Sequence, residues 1–336
     1  MASAPAIPKG SLVLVTGCNG YIGSNVVDQF LEAGYRVRGT TRSTSKVQGL
    51  SALWEKKFGP GQFEVATVGD MSEEGVFDEA VKGVSAVVHV ASILTFDPDP
   101  NKVIPQVLAG MKGILNSAAN EPSVKRFVAT SSSTAASAPI PGKKFHMGTD
   151  TWNQSDIDKA WAPPPIKEDR AWAVYGASKA QGEKLIWEFV KEKKPHFVVN
   201  TVLPNCNFGT ILDKNLSAST GDFARSLFKG EKQTLPPQYF IDVQDNARLH
   251  VAAAINADVQ NERLYAFATP FNWNDVLRIY RRLRPDQKFI DDYQDDEKDR
   301  DISTVANERA LELLKGMGRP GWTTLEESLK NNIEGM

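Results

Sequence analysis

From Ser11 onward, short runs of β-branched and aliphatic residues alternate with longer stretches in which apolar positions recur every three or four residues. Runs of the first kind lie at 12–15, 36–40, 63–68, 86–90, 126–130 and 198–203; stretches of the second kind lie at 22–33, 76–81, 107–119 and 177–191. An apolar strand needs cover on both faces and a helix with one apolar stripe supplies it, so the alternation predicts an α/β fold with a doubly wound parallel sheet. Gly34 stands where the first helix must stop, and Asp99, Pro100 and Asn101 form a polar turn that starts another. Beyond Pro204 the alternation weakens into helical pieces at 273–283, 308–314 and 325–333, separated by loops carrying Pro236-Pro237, Pro270 and Pro320. The expected division is a flexible arm at 1–10, a sheet domain at 11–204, and a smaller C-terminal lobe made of 205–238 and 269–336. A lid-like insertion at 139–170 interrupts the sheet domain, and the chain returns to it near 239–268.

With 336 residues, 41% of them hydrophobic and 24% charged, the chain has enough apolar mass for one large core. A net charge of -2 supplies no basic field for a nucleic-acid backbone or an anionic membrane. No apolar run approaches the ~20 residues of a spanning helix, and the first eight residues lack the basic flank and apolar centre of a signal peptide. Two cysteines far apart, Cys18 and Cys206, do not read as a disulfide framework, and His89, His146, His196 and His250 have no spacing that gathers a metal. The acidic run from Asp291 to Glu297 reads as solvated surface. These features point to a cytoplasmic protein that handles a small molecule, with no nucleic acid, membrane or metal.

The chemistry is carried by three places. The first run leads into Thr16-Gly17-Cys18-Asn19-Gly20-Tyr21-Ile22-Gly23, a glycine-rich turn between a strand and a helix. Glycines there let the backbone approach a pyrophosphate, and the helix N-terminus offers free N–H groups, so the turn predicts a dinucleotide. At the end of the second run an acid would bond the ribose 2′-hydroxyl of NAD; the sequence instead carries Arg42 and Lys46, which suit the 2′-phosphate of NADPH. Further on, Tyr175 and Lys179 stand four apart, hence on one helix face, where a cation is expected to lower the phenol's pKa. The fifth strand run ends in Thr130-Ser131-Ser132-Ser133-Thr134, at the sheet edge where open α/β proteins bind ligands.

In these motifs, and in Gly69-Asp70-Met71, His89-Val90-Ala91-Ser92, Leu203-Pro204-Asn205 and the stretch from Tyr239 to Ala247, the chain resembles the extended short-chain dehydrogenases/reductases over nearly its whole length. Within that family it is most similar to fungal carbonyl and aldehyde reductases and to the methylglyoxal and dihydroflavonol reductases. The resemblance implies a Rossmann domain with a smaller C-terminal substrate-binding lobe. It implies that Ser132, Tyr175 and Lys179 are catalytic, with Ser131 and Ser133 left as alternatives to Ser132. Gly17, Asn19, Gly20, Tyr21, Ile22, Gly23, Arg42, Lys46, Asp70, Met71, Val90, Ala91, Ser92, Tyr175, Lys179, Pro204 and Asn205 would hold NADPH. Ser92, Phe96, Cys206, Asn207 and Phe208 are expected to wall the substrate pocket.

The implied activity is NADPH-dependent reduction of aldehydes and ketones, bulky or activated ones such as keto esters included, with the tyrosine as proton donor. The alternatives are a nucleotide-sugar epimerase or dehydratase with tightly held NAD, a dehydrogenase working in the oxidative direction, and a non-catalytic NADPH-sensing protein. Relatives occur as monomers and homodimers.

Overall fold

The computed structural model describes residues 4–294 and 299–336. Met1–Ser3 of the expected arm and Asp295, Asp296 and Glu297 of the acidic run lie outside the described residues. The chain opens with β1 (Leu12–Thr16), α1 (Tyr21–Glu32), β2 (Arg36–Thr41), α2 (Gln48–Phe58), β3 (Phe63–Thr67), β4 (Ala86–His89), α3 (Pro100–Asn120), β5 (Arg126–Thr130) and the single turn α4 (Ser133–Ala136). It continues through β6 (His146–Met147), α5 (Gln154–Ala160), α6 (Ala171–Lys193), β7 (Val198–Pro204), β8 (Cys206–Phe208), α7 (Thr220–Phe228), β9 (Gln238–Asp242), α8 (Val243–Ile255) and β10 (Arg263–Ala266). Last come β11 (Thr269–Phe271), α9 (Trp273–Leu283), β12 (Thr304–Val305), α10 (Glu308–Gly316) and α11 (Leu325–Asn332).

Seven strands form one parallel sheet in the order β3-β2-β1-β4-β5-β7-β10. Strand alternation divides its side chains between two cores. Val13, Val15, Val88 and Val128 face the layer containing α1 and α8, while Leu14, Val87 and Phe127 face the layer containing α3 and α6. This is the doubly wound arrangement, and the direction of winding reverses between β1 and β4. Connections leave the sheet in opposite directions there, opening a crevice at the carboxyl ends of the strands. A second sheet, β11-β9-β8, lies beyond the main one, and β6 pairs with β12.

Several elements differ from the sequence expectation. The stretch 76–81 is a chain of turns rather than a helix: Gly75 and Gly83 bracket it with φ of 73° and 72°, leaving too few residues to pay for helix nucleation. Its Phe77 and Val81 are buried all the same, which produced the helical spacing. Helix α2 was not anticipated, because Leu50 and Trp54 are its only buried residues and one i,i+4 pair makes a faint stripe. Helix α3 starts at Pro100, earlier than its apolar stripe, with the Asp99 carboxylate accepting from Asn101 N at 3.0 Å. The arm is anchored from Ala6 onward, whose N–H donates to Ile255 O at 2.7 Å, and Ile7 is fully buried.

The insertion is stitched into the body. β6 pairs with β12, α5 packs on α6, and Arg170 folds the proline-rich loop by donating to the carbonyls of Ala162 (2.9 Å), Pro163 (3.1 Å) and Pro165 (3.3 Å). Arg170 directly precedes α6, so this anchoring also fixes where that helix begins. Arg170→Ala leaves those carbonyls without donors; stability is expected to fall by about 2 kcal/mol in denaturant unfolding, with faster proteolytic cleavage between residues 161 and 169. Unchanged stability and cleavage would show that the loop holds itself.

Candidate functional site

At the head of α1 the chain must turn sharply out of β1. Gly17 does so with φ of 68°, and a Cβ there would stand 3.1 Å from Ala91 Cα. At Gly23 a Cβ would collide with the Gly17 carbonyl oxygen, so the helix seats directly against the loop. Thr16 locks this turn to the next strand: its Oγ1 accepts from Val90 N and Ala91 N, each at 3.0 Å, and bonds His89 Nδ1 at 2.9 Å. Gly20 caps α1 with no side chain, which leaves the first-turn amides open beside exposed Gly20 and half-buried Asn19 and Ile22.

Tyr21 does not extend this surface with its side chain. The ring is buried and its hydroxyl donates to Gly209 O at 3.0 Å, so Tyr21 has its backbone alone to offer a ligand. Cys18 is buried against β2, and burial pushes its thiol up to about 12, far from a reactive thiolate.

Beside the glycine turn, β2 ends without a carboxylate. Arg42 and Lys46 are both exposed, and among the described residues neither side chain has a hydrogen bond or ion pair. Asp70 lies close enough to feel Arg42. Ser72 donates to it from N (2.9 Å) and Oγ (2.7 Å), and these bonds, followed by the Arg42 charge, hold its carboxyl below the usual range.

The third group sits at the carboxyl ends of β4 and β5 against α6. Tyr175 OH donates to Ser132 Oγ at 3.5 Å, and Lys179 Nζ stands 6.0 Å from the Tyr175 ring centre. Ser132 also accepts from Thr134 N (3.2 Å) and Oγ1 (2.9 Å) as the cap of α4. The neighbouring serines are placed differently: Ser131 donates to Glu183 Oε2 at 2.7 Å, and Ser133 lies within α4. Lys179 and Glu183 share a cleft with His89, Ala91, Ser92 and Met71.

Burial sets the acidities here. It raises the Tyr175 phenol, partly offset by hydrogen bonds to Ser132 and Thr134, so the expected lowering by the neighbouring lysine is overruled. It also brings the Lys179 ammonium down to about 8 against the opposing pull of Glu183, and holds His89, with Lys179 nearby, at about 3 as a neutral imidazole.

Of the expected pocket walls, Phe96 lies at the mouth. It is 43% exposed, its ring centre is 5.3 Å from that of Tyr175, and Trp172 closes the cluster at 5.0 Å from Phe96. Its φ of 51° is a left-handed conformation costly for a bulky residue and typical of binding sites. Phe208 is not a wall. It is fully buried among Phe240, Phe271 and Trp273, because β8 turns it into the core between the sheets. Cys206 and Asn207 are likewise buried, with Asn207 bonded to Asn205 O, Thr220 and Asn246, whereas Asn205 remains partly open. No cluster of metal-ligating side chains occurs among the described residues.

Thr16 as a lock on the turn, Trp172 as a partner of Tyr175, and the buried pair Glu183–Arg263 are features of the site that no motif names. Helical spacing carried a signal for two of these: Trp172, Tyr175, Lys179 and Glu183 recur at three- and four-residue intervals along α6.

A parallel sheet with its glycine turn, serine strand end and tyrosine-lysine helix gathered at one crevice defines a dinucleotide-binding α/β protein. The chain belongs to the NAD dependent epimerase/dehydratase family, whose model matches residues 13–266. It is 42% identical to aldehyde reductase 2 of Sporidiobolus salmonicolor, covering 97% of this chain and 96% of the relative. It is 40% identical to ketoreductase adrE of Penicillium rubens, covering 97% of each. Among solved structures, yeast methylglyoxal/isovaleraldehyde reductase Gre2 complexed with NADPH superposes with a TM-score of 0.81 at 26% identity, covering 96% of both chains. No helix among the described residues is long and apolar enough to cross a membrane.

Gly23→Ala tests the tight seat of α1. Forcing a methyl against the Gly17 carbonyl is expected to cost about 1–3 kcal/mol in denaturant unfolding; a wild-type midpoint would show that the loop can yield without cost.

Proposed function

We propose that this protein is an NADPH-dependent reductase of aldehydes and ketones. The observation that carries the reading is the placement of the Tyr175 hydroxyl on Ser132 Oγ, with Lys179 one turn further along the same helix face, at the carboxyl edge of β5. Relatives named as an aldehyde reductase and a ketoreductase, and a structural neighbour complexed with NADPH, support it.

The residues present fit a phosphorylated dinucleotide. The glycine cradle with no room for a Cβ at Gly17 or Gly23, together with the open amides of α1, suits the pyrophosphate. Arg42 and Lys46 suit the 2′-phosphate. Asp70 would meet the adenine, and Met71 would hold the cofactor from the cleft it shares with Lys179. Val90, Ala91 and Ser92 would line the nicotinamide side, and Pro204 with Asn205 would close over it. When bound, the cofactor supplies the hydride.

Ser132 Oγ holds the substrate's carbonyl oxygen, and Tyr175 donates its phenolic proton to that oxygen as negative charge develops on it. The Lys179 ammonium stabilises the phenolate left behind. Ser132 suits this role better than its neighbours, since Ser131 is already committed to Glu183. Phe96 and Trp172 present apolar faces to an incoming carbonyl compound, while Phe208 has no part in the pocket. The free, buried state of Cys18 and Cys206 agrees with a reducing cytoplasmic setting.

The direct test follows nicotinamide absorbance with NADPH, then NADH, against aldehydes, keto esters and aryl ketones. Carbonyl-dependent loss of NADPH with NADH much poorer is expected; a protein that retains NAD through purification and reduces no carbonyl would instead support epimerase chemistry. Tyr175→Phe is expected to lower kcat by about 10²–10⁴-fold with NADPH binding intact, and a wild-type rate would remove Tyr175 from the mechanism. Arg42→Ala is expected to weaken NADPH by about 10- to 100-fold and leave NADH unaffected; equal weakening of both would refute the phosphate role.

A further inference from the structure

Glu183 takes no part in the proton transfer described above, yet it sits one helical turn past Lys179 on α6 with 2% exposure. Its carboxylate is saturated with donors. Ser131 Oγ donates to Oε2 at 2.7 Å, Thr201 Oγ1 to Oε1 at 2.7 Å, Arg263 Nε to Oε1 at 2.8 Å, and Arg263 Nη2 to Oε2 at 3.2 Å, with Trp187 Nε1 at 3.4 Å from Oε1. These donors belong to the end of β5, to β7, to β10 and to α6 itself. Taking a carboxylate out of water is costly, and an apolar side chain would hold α6 to the sheet at less cost, so packing alone does not account for it.

Two geometric facts tie Glu183 to the reacting groups. Ser131 directly precedes Ser132, so the Ser131–Glu183 bond fixes how the serine-bearing strand end meets the tyrosine-bearing helix. The groups facing Lys179 are Tyr175 and Glu183 from its own helix, His89 from the end of β4, and Arg263 of β10 on the far side of Glu183. His89 is neutral and adds no charge of its own, and Glu183 is the carboxylate whose charge acts on the ammonium.

We infer that Glu183 is a positioning residue for the Ser132–Tyr175–Lys179 group: it sets the contact between β5 and α6 through Ser131, and places a negative charge one turn from the Lys179 ammonium. The inference rests on the reductase reading. Glu183 opposes the fall of the Lys179 pKa, which stands at about 8. The ammonium is present below that pH and lost above it. Removing the carboxylate charge therefore lowers the pH at which the ammonium, and with it the stabilised phenolate, is lost.

The experiment measures kcat for NADPH-dependent aldehyde reduction from mildly acidic to mildly alkaline pH in wild type, Glu183→Gln and Arg263→Lys, together with melting temperatures. Glu183→Gln is expected to move the alkaline limb of kcat down by about one pH unit while the KM for NADPH stays within about twofold. Arg263→Lys keeps both charges but loses the forked geometry, so it is expected to lower the melting temperature and leave the limb in place. An unmoved limb in Glu183→Gln, or equal movement in both variants, would reduce Glu183 to a packing role.

Should Glu183→Gln fail to fold, Ser131→Ala reads the positional half. A fall in kcat of about tenfold at constant KM for NADPH is expected, and an unchanged kcat overturns the inference. Absence of carbonyl turnover in the wild type would refute the reductase reading instead. The pH dependence of Lys179 acetylation by acetic anhydride, read by mass spectrometry, would then report the ammonium directly, with the same downward shift expected and its absence overturning the proposal.

Discussion

One buried ion pair, Glu183 with Arg263, fixes the relation between the sheet and the helix that carries the reactive side chains. The two side chains are 1% and 6% exposed, so neither can exchange its partner for water. Arg263 also donates from Nη1 to the carbonyls of Thr149 (2.7 Å) and Thr151 (2.8 Å), and its guanidinium carbon stands over Trp152, 3.9 Å from the ring centre. A single contact region thus joins β5, α6, β7, β10 and the insertion. Pairs of this kind add little net stability over an apolar substitute, but breaking one leaves an uncompensated charge, which penalises every alternative register of α6 on the sheet. Helix register matters here because Tyr175 and Lys179 are defined by it.

A second set of bonds joins the glycine turn to the smaller lobe. Tyr21 OH and Asn332 Nδ2 both donate to Gly209 O, at 3.0 and 3.1 Å, and Asn25 Nδ2 donates to Thr210 O at 3.2 Å. From the other side, Asp242 caps α8 and accepts from Ser328 of α11 at 2.8 Å. Burial and neighbouring Asp245 raise the Asp242 carboxyl to about 6. The segment after β8 is therefore held by the head of α1 and the last helix together.

Elements with a continuous apolar pattern were legible in the sequence: β1, β4, β5 and β7 start and end within a residue of the hydrophobic runs, since strands buried on both faces have no polar alternative, and β2 and β3 match their runs as closely although Arg36, Arg38 and Glu64 interrupt them. The turns around Phe77 and Val81 misled for the same reason, because buried side chains in a compact loop mimic a helical stripe. Helix α2 lacked enough burial to register. In the site, glycine, tyrosine and lysine spacings were readable because they are local. The burial of Phe208 was not, since it depends on a second sheet, β11-β9-β8, assembled from strands far apart in sequence. Glu183–Arg263 spans eighty residues and was invisible for the same reason.

The acidities bear on the direction of the chemistry. Sequence spacing alone suggests that Lys179 draws the Tyr175 proton off, yet burial acts on both groups and drives each toward its neutral form. A phenol raised by burial keeps its proton at neutral pH, and a proton in place is what carbonyl reduction requires; oxidation of an alcohol requires the same site to be empty. His89, neutral and committed to Thr16, contributes no competing charge. On the proposed reading, the raised Tyr175 phenol holds the proton that carbonyl reduction delivers.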